Sequence, residues 1–344
     1  MGKRTDILSQ RIRRSGGLAT RHVHSGSHRL QPGGSHFCGT ARLRLKEPIM
    51  LNQLIVTMIP VMAVVLAGFA YAYRTRIDVS AANRMNTDIF LPALVFSSLA
   101  TRRFDAGLDG WLVAATAIIV IGSGIVALPI ARWMRVEAKT FCPPMMFNNC
   151  GTLGLPLALL AFGEGEFSHA MLLFVTTNLM LFTLGAYLIG RDRPWRRVLA
   201  SPVVIATILG IACSLAGLAL PRSLLLPIQL LGDIALPLML FALGVRMSAV
   251  RRADLKVGIA GALVCPIAGL LVAGSLVPWL PLAAEHRSLL FLFAALPPAA
   301  ANHLLAESCR RDPEKMAAIV VTGHVVSVLF IPFGLSIGLL GAGG

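Results

Sequence analysis

Long stretches without a charged residue dominate this chain. Eight of them are 19 to 29 residues long, and a helix that crosses the hydrocarbon core of a bilayer needs about 20 apolar residues. Two further apolar segments, at about 82–101 and 224–245, contain the acids Asp88 and Asp233. We therefore expect ten membrane spans. The eight uncharged stretches are 48–73, 110–131, 140–163, 167–190, 198–221, 257–284, 288–306 and 316–344.

The composition excludes soluble and disordered proteins. Hydrophobic residues make up 56% of the chain and charged residues 14%, whereas soluble domains carry about 25% charged residues. Continuous apolar runs favour helices, because the strands of a membrane barrel alternate apolar and polar residues over about ten positions. We predict an all-α polytopic membrane protein.

The basic residues predict the orientation of the ten spans. The loops that follow odd-numbered spans hold 17 Lys and Arg residues, and the other four loops hold 4. Cytoplasmic loops of membrane proteins are enriched in Lys and Arg. We therefore expect loops 1–2, 3–4, 5–6, 7–8 and 9–10 in the cytoplasm and both ends of the ten-helix body outside. The expected location is the plasma membrane, as a multi-pass protein of a bacterial inner membrane.

Residues 1–49 differ from the rest of the chain. They hold ten of the 31 Lys and Arg residues and two of the 16 acids, and they show no apolar periodicity. Three interpretations stay open, namely a transit peptide, a disordered basic tail, or non-native sequence upstream of a start at Met50. The last is favoured, because ten basic residues would otherwise have to cross the membrane ahead of the first span. No basic face of a folded module is visible, so no nucleic-acid partner is expected.

One nine-residue motif occurs twice. DIFLPALVF at 88–96 and DIALPLMLF at 233–241 share five residues in register and lie five spans apart. An odd number of spans per repeat forces the copies into opposite orientations, as in many secondary transporters. We predict a first five-helix repeat at 50–197 and a second, inverted one at 198–344.

The fourth and ninth spans each combine Pro, small residues and Asn near their middle. The fourth contains NNCGTLGLP at 148–156, and the ninth contains ALPPAAANH at 295–303. Proline removes a backbone donor and clashes with the preceding turn, and a broken helix at membrane depth is tolerated only inside protein or beside a water-filled cavity. Because helix N-termini attract anionic groups, two broken helices that meet would hold a small charged solute.

These motifs together resemble the auxin efflux carrier (PIN-like) family in its bacterial permease form, which is related to bile acid–sodium symporters. The resemblance covers about 50–340. The matching segments are MNTDIFLPALVFSSLA, NCGTLGLPLALLAFGEGE, TTNLMLFTLG, GDIALPLMLFALG and LPPAAANHLLAE.

The resemblance implies a fold and a function. Helices 1, 2, 6 and 7 would form a scaffold, and helices 3–5 and 8–10 a mobile transport domain in which helices 4 and 9 cross. The implied function is secondary transport of a small organic anion by an elevator type of alternating access. Family substrates are auxin in plants and dicarboxylates such as malonate or malate in bacteria. Membrane lipid and a second copy in a homodimer are the other partners considered.

The resemblance also implies the site residues. The expected substrate-binding residues are Asn149, Gly151, Thr152, Gly154, Pro156, Asn178, Pro297, Pro298 and Asn302. Candidate proton-coupling residues are Asp88, Asp233, His303 and His324. His324 stands where a small polar residue is expected, and this puts analogies of proton coupling in doubt.

Two alternatives and one absence complete the expectations. An intramembrane aspartyl protease would use Asp88 and Asp233, but LLGD at 230–233 lacks the first Gly of a GxGD signature. A receptor or channel on the same fold is the second alternative. The six Cys show no CxxC pair and no Cys/His ligand spacing, so neither a metal site nor a cofactor is expected. Glu166 and His169 are expected near the outer loop 4–5, in contact with water or the membrane interface.

Overall fold

The computed structural model describes residues 38–75, 77–102, 105–189, 200–248, 255–309 and 312–341. The chain divides into two units, Met1–Leu45 and Lys46–Gly344. The described part of the first unit is helical, and most of the expected extension at 1–49 lies outside the described residues.

The described residues form fourteen α-helices and no β-strand, as predicted for an all-α protein. Three short π-helical turns, Asn86–Phe90, Cys150–Gly154 and Leu181–Gly185, and one 3₁₀ turn, Val277–Trp279, extend them. The α-helices are α1 (Cys38–Thr75), α2 (Ser80–Met85), α3 (Leu91–Ala100), α4 (Ala106–Trp133), α5 (Ala138–Met146), α6 (Leu155–Met180), α7 (Ala186–Ile189), α8 (Pro202–Leu215), α9 (Arg222–Asp233), α10 (Ala235–Ser248), α11 (Leu255–Leu276), α12 (Ala284–Ala294), α13 (Ala300–Cys309) and α14 (Pro313–Gly341).

Six helical segments of the described chain are long and apolar enough to cross a membrane, which supports the predicted multi-pass protein. The predicted ten spans in two inverted repeats stay a prediction. One reason for the lower number is that the segment 288–306 is divided between α12 and α13, of 11 and 10 residues. The six segments are Val56–Thr75, Gly107–Trp133, Cys150–Ile189, Arg222–Ser248, Lys256–Trp279 and Glu314–Gly338.

The segment Cys150–Ile189 is 40 residues long, twice the length that one span needs. Gly163 divides it, with φ 76° and ψ −176°. This backbone conformation is essentially restricted to glycine. The chain therefore changes direction at Gly163, between the two predicted spans 140–163 and 167–190.

One group of helices packs main chain against main chain at glycines. A Cβ atom at Gly68 in α1 would overlap the carbonyl oxygen of Phe241 in α10, and one at Gly244 would overlap the main chain of α1. Gly232 of α9 and Gly210 of α8 pack less tightly on α3, because a Cβ atom would come within 2.8 Å of Leu94 Cα at the first and 3.0 Å of Leu99 Cβ at the second. Small residues allow such contacts in membranes, where apolar surface alone does not drive helices together. Helices α1, α3, α8, α9 and α10 form this first group.

A second group of helices is joined by buried apolar side chains. One cluster connects α4, α5, α11 and α14 and includes Phe141 and Ile319. Another connects the end of α5 to α7, α13 and α14 through Phe147, Ile189 and Leu305. Each cluster takes helices from both halves of the chain, so the second group is assembled from distant segments.

Candidate functional site

Two interruptions of the helical backbone lie against each other inside the second group. The first covers residues 147–149, and the second covers residues 295–299. Asn148 and Pro298 form an isolated antiparallel bridge. The interrupted segments therefore cross, and each interruption lies where the other one can bond to it.

Backbone hydrogen bonds connect the two interruptions. The N–H of Asn149 donates to the carbonyl of Pro297 at 2.7 Å, and the N–H of Ala299 donates to the carbonyl of Phe147 at 2.9 Å. A helix that stops leaves donors and acceptors without partners, and such groups are costly in a membrane. Bonds across the crossing replace some of those that each helix has lost.

Two asparagine side chains add a matching pair of bonds. Nδ2 of Asn148 donates to the carbonyl of Phe293 at 2.9 Å. Nδ2 of Asn302 donates to the carbonyl of Phe147 at 2.9 Å and to that of Ala299 at 3.0 Å. Each amide thus donates to a carbonyl at or beside the other interruption, and the amide of Asn302 also donates to a carbonyl at its own interruption. Asn302 is fully buried.

This geometry gives a prediction for Asn302. We expect Asn302→Ala to lower the thermal midpoint of the purified protein, since the free energy of unfolding falls by about 1–3 kcal/mol when a buried hydrogen-bonding partner is lost. The affinity of the folded fraction for its solute should change little. The matched change Asn178→Ala, at a residue that lines the cavity described next, should lower the affinity for the solute and leave the thermal midpoint nearly unchanged. Equal thermal midpoints for wild type and Asn302→Ala would contradict this role.

A cavity of about 330 Å³ opens beside the crossing, between the two helix groups. Asn149, Gly151, Thr152 and Asn178 line it, as expected for substrate-binding residues. The volume is at the lower end of the range of ligand pockets, about 300–1,000 Å³. We call it the first cavity.

Positive charge and backbone donors dominate the electrostatics of the first cavity. Arg246 is the one charged side chain among its described lining residues, and none of these is an acid. Helix α13 begins there, with Ala300 and Ala301 on the wall, and so does the π-helical turn at Gly151 and Thr152. The first N–H groups of a helix lack partners within it, and the helix dipole makes that end attractive to anions.

All three π-helical turns of the described chain contribute to the first cavity. Asn86 and Thr87, then Gly151 and Thr152, then Leu181 and Phe182 line it. Such turns loosen the regular hydrogen-bond pattern and are frequent at functional sites. Here they lie on both sides of the cavity, on the two groups of helices.

A second cavity of about 530 Å³ lies at the other ends of the same segments. The two cavities approach each other along α3 at Leu91 and Leu94, and along α10 at Met239 and Leu240. At about 1.5 Å per residue, the partition is about 5 Å thick or less along these helices. A short stretch of α3 and α10 therefore separates the lining residues of the two cavities.

The other expected substrate-binding residues do not line the first cavity. Pro156 lines the second, in the first turn of α6, where proline is tolerated. Gly154 keeps the crossing compact, because a Cβ atom there would come within 2.8 Å of Leu296 Cδ1. The Pro297 carbonyl accepts from the N–H of Asn149, and Pro298 lies opposite Asn148 in the antiparallel bridge.

The four candidate coupling residues are dispersed. Asp233 lines the second cavity, whereas Asp88, exposed in a π-helical turn, and the partly buried His303 line neither described cavity. The two carboxylates therefore do not line a common described cavity, whereas an aspartyl protease needs both of them at one site. His324 is buried and contacts Asn149.

The contact between His324 and Asn149 assigns the tautomer of the ring. Nδ1 lies 2.7 Å from the carbonyl oxygen of Val320, and Nε2 lies 2.7 Å from Nδ2 of Asn149. A carbonyl oxygen only accepts, so Nδ1 carries the proton and Nε2 accepts from the amide. His324 therefore orients the Asn149 side chain from behind the cavity wall.

Sequence reasoning missed several lining residues. The charge pattern of the sequence places Arg246 in a cytoplasmic loop, although it directly follows the predicted span 224–245. Asn83 and Asn86 stand at the start of the predicted span 82–101, and their amides in an apolar stretch are the signal that would have found them. Ser201 also lines the cavity, and it directly precedes α8.

One comparison with known proteins supports the resemblance found in the sequence. Residues 191–335 match a family model described as membrane transport protein, the model of the auxin efflux carrier and PIN-like family. The match covers most of the second predicted repeat, including Arg246 and the second interruption. No curated protein matches the chain.

Proposed function

From the match of residues 191–335 to the membrane transport protein family, we propose that this multi-pass membrane protein is a secondary carrier of a small organic anion. The observation that carries the proposal is the lining of the first cavity, with Arg246 as its one described charge and no acid. Two helix starts add backbone donors to the same wall. A carboxylate is one of the anionic groups that a guanidinium binds with two parallel hydrogen bonds.

The proposed substrate has an apolar body as well as a carboxylate. Phe174, Phe182, Met239 and Leu243 supply apolar walls. Amide and hydroxyl groups of Asn149, Asn178 and their neighbours offer donors for a second polar end. A monocarboxylate or dicarboxylate of malonate-like, malate-like or auxin-like size fits this combination.

Alternating access by an elevator movement is the proposed mechanism. Both cavities lie between the glycine-packed first group of helices and α6, which follows the first interruption of the crossing and would move with the second group. If the second group slides along the first, the substrate site passes from one cavity to the other across the thin partition. The crossing would then move as one piece, because backbone and asparagine bonds connect its two interruptions.

The proposed orientation places the first cavity on the cytoplasmic side. Asn83, Ser201 and Arg246 adjoin the Arg-rich loops 1–2, 5–6 and 7–8, which are expected inside by their charge. The second cavity adjoins Thr101, Glu164 and Gln229, next to loops with few basic residues. The structure would thus correspond to an inward-open state.

Arg246 provides the test. We expect Arg246→Gln to weaken the binding of the transported anion about 10- to 100-fold, since hydrogen bonds to a charged group contribute about 1.5–3 kcal/mol. The measurement is uptake of labelled monocarboxylates and dicarboxylates into liposomes, together with the ligand concentration that raises the thermal midpoint. Arg132→Gln, at an exposed arginine that lines neither cavity, is the matched control and should behave as wild type.

Two results would overturn the proposal. One is that no organic anion of a broad panel is transported by, or stabilises, the wild-type protein. The other is that Arg246→Gln and Arg132→Gln bind the transported anion equally well.

A further inference from the structure

Three side chains from distant segments meet at the opposite end of the molecule from Arg246. Glu166 and His169 follow the turn at Gly163, and His286 lies in the first turn of α12. Glu166 Oε2 is 3.2 Å from His169 Nδ1 and 3.5 Å from His286 Nε2. The two imidazole rings contact each other edge to face, with centroids 4.6 Å apart. These three residues are the His–Glu cluster.

The His–Glu cluster is largely shielded from water, contrary to the expected exposure of Glu166 and His169. The side chains of Glu166, His169 and His286 are 15%, 14% and 11% exposed. Within the described part of the chain, neither ring nitrogen of His286 has a hydrogen-bond partner of good geometry, and Oε2 of Glu166 and Nδ1 of His169 have none besides their contact with each other. A buried polar atom without a partner costs about 1–3 kcal/mol. Several such atoms converge on one point.

Charges of both signs lie near this point, because Arg102 acts on Glu166 and His286 and the carboxylate of Glu285 acts on His286. Arg102 lies close by and donates to the backbone carbonyl of Ser168 at 3.3 Å. Its charge is offset by an ion pair with Asp109, whose side chain is fully buried. The carboxylate of Glu166 thus leaves the cluster with a net negative charge when the imidazoles are neutral.

We propose that the His–Glu cluster binds a divalent transition-metal ion of the zinc type. Three donor atoms, one from each residue, lie within 4.8 Å of one another. Ligands at about 2.0–2.2 Å from a tetrahedral zinc ion are about 3.3 Å apart, close to the two distances from Glu166 Oε2. Two imidazoles and one carboxylate are a known zinc donor set that leaves a fourth position for water. Calcium and magnesium prefer oxygen ligands instead.

The position of the site indicates what the ion would do. It would connect the start of the 164–180 part of α6, which carries Asn178, to α12, which leads into the second interruption. The first segment reaches the first cavity at Asn178 and the second reaches the crossing, so the ion would fix their outer ends to each other. The site is separate from the first cavity, and metal binding does not depend on the proposed transport.

The test measures zinc binding by the full-length protein, purified without a polyhistidine tag. We expect isothermal titration with ZnCl₂ to show one more bound ion per chain in the wild type than in His169→Ala/His286→Ala. Both proteins keep the four histidines of the N-terminal extension, so any zinc bound there contributes equally to the two stoichiometries that are compared. Co²⁺ in place of Zn²⁺ should give the visible absorption of a tetrahedral nitrogen and oxygen site in the wild type alone.

Glu166→Gln and Glu164→Gln form a matched pair, because Glu164 is exposed and two residues away. The first should weaken zinc binding at least about tenfold, and the second should leave it unchanged. Monodisperse elution of each variant shows that it has folded. Equal zinc stoichiometry in the wild type and the double histidine variant, or equal affinity in the two glutamine variants, would overturn the proposal.

Discussion

Replacing Gly244 with valine is expected to prevent most of the protein from folding. A Cβ atom at Gly244 would overlap the carbonyl oxygen of Val65 and come within 2.8 Å of the backbone nitrogen of Phe69. Overpacking a core costs about 1–3 kcal/mol and occasionally more, and here the obstacle is main chain, which cannot rotate away. We expect a loss of at least about 3 kcal/mol. The measurement is the yield of monodisperse protein in detergent and its thermal midpoint.

Gly274→Val is the control for this change. Gly274 lies in α11, within an apolar span, and nothing approaches the position of its Cβ atom within 4 Å. The same substitution should therefore leave the yield nearly unchanged. Similar yields for Gly244→Val and Gly274→Val would show that α1 and α10 do not pack at their glycines.

The second large effect is expected at Asn149, where aspartate has nearly the same shape as the native residue. Asn149→Asp would introduce a carboxylate into a cavity whose described lining contains no acid. At an effective dielectric constant of about 20 and a separation of about 6 Å, two negative charges repel by about 3 kcal/mol. Anion affinity should fall by about 100-fold. Equilibrium binding of the labelled anion to the purified variant measures it.

Gln229→Glu makes the same chemical change in the second cavity. It should alter anion affinity far less than Asn149→Asp, because the binding groups line the first cavity. If the two variants bound the anion equally well, the first cavity would not be the binding site. If Asn149→Asp bound it as well as wild type does, the cavity would not select anions by charge.

Local sequence is sufficient to predict which two spans are interrupted. Pro297 and Pro298 lie within the second interruption, because two consecutive prolines remove two backbone donors. The first interruption, at 147–149, comes seven residues or more before Pro156, which the first turn of α6 accommodates. Proline thus indicated that the fourth span is interrupted but not the residue at which the interruption occurs.

Other features depend on contacts that no local pattern contains. Asn302 was expected to bind substrate, but its amide is directed to the Phe147 carbonyl, 155 residues away in the chain. The His–Glu cluster joins residues more than 100 positions apart, so the spacing of metal ligands in the sequence gave no sign of it. Arg246 lines the first cavity together with residues of distant segments, which its place after the predicted span 224–245 does not reveal.

The thin partition between the two cavities has an electrical consequence. Hydrated cavities conduct far better than lipid or packed protein, so nearly all of a membrane voltage would fall across the few residues between Leu91 and Leu94 and their neighbours on α10. Moving one elementary charge through 100 mV changes its free energy by about 2.3 kcal/mol. An anion that passed this layer would experience that whole change within a few ångströms, and its flux would depend steeply on the resting potential of the cell.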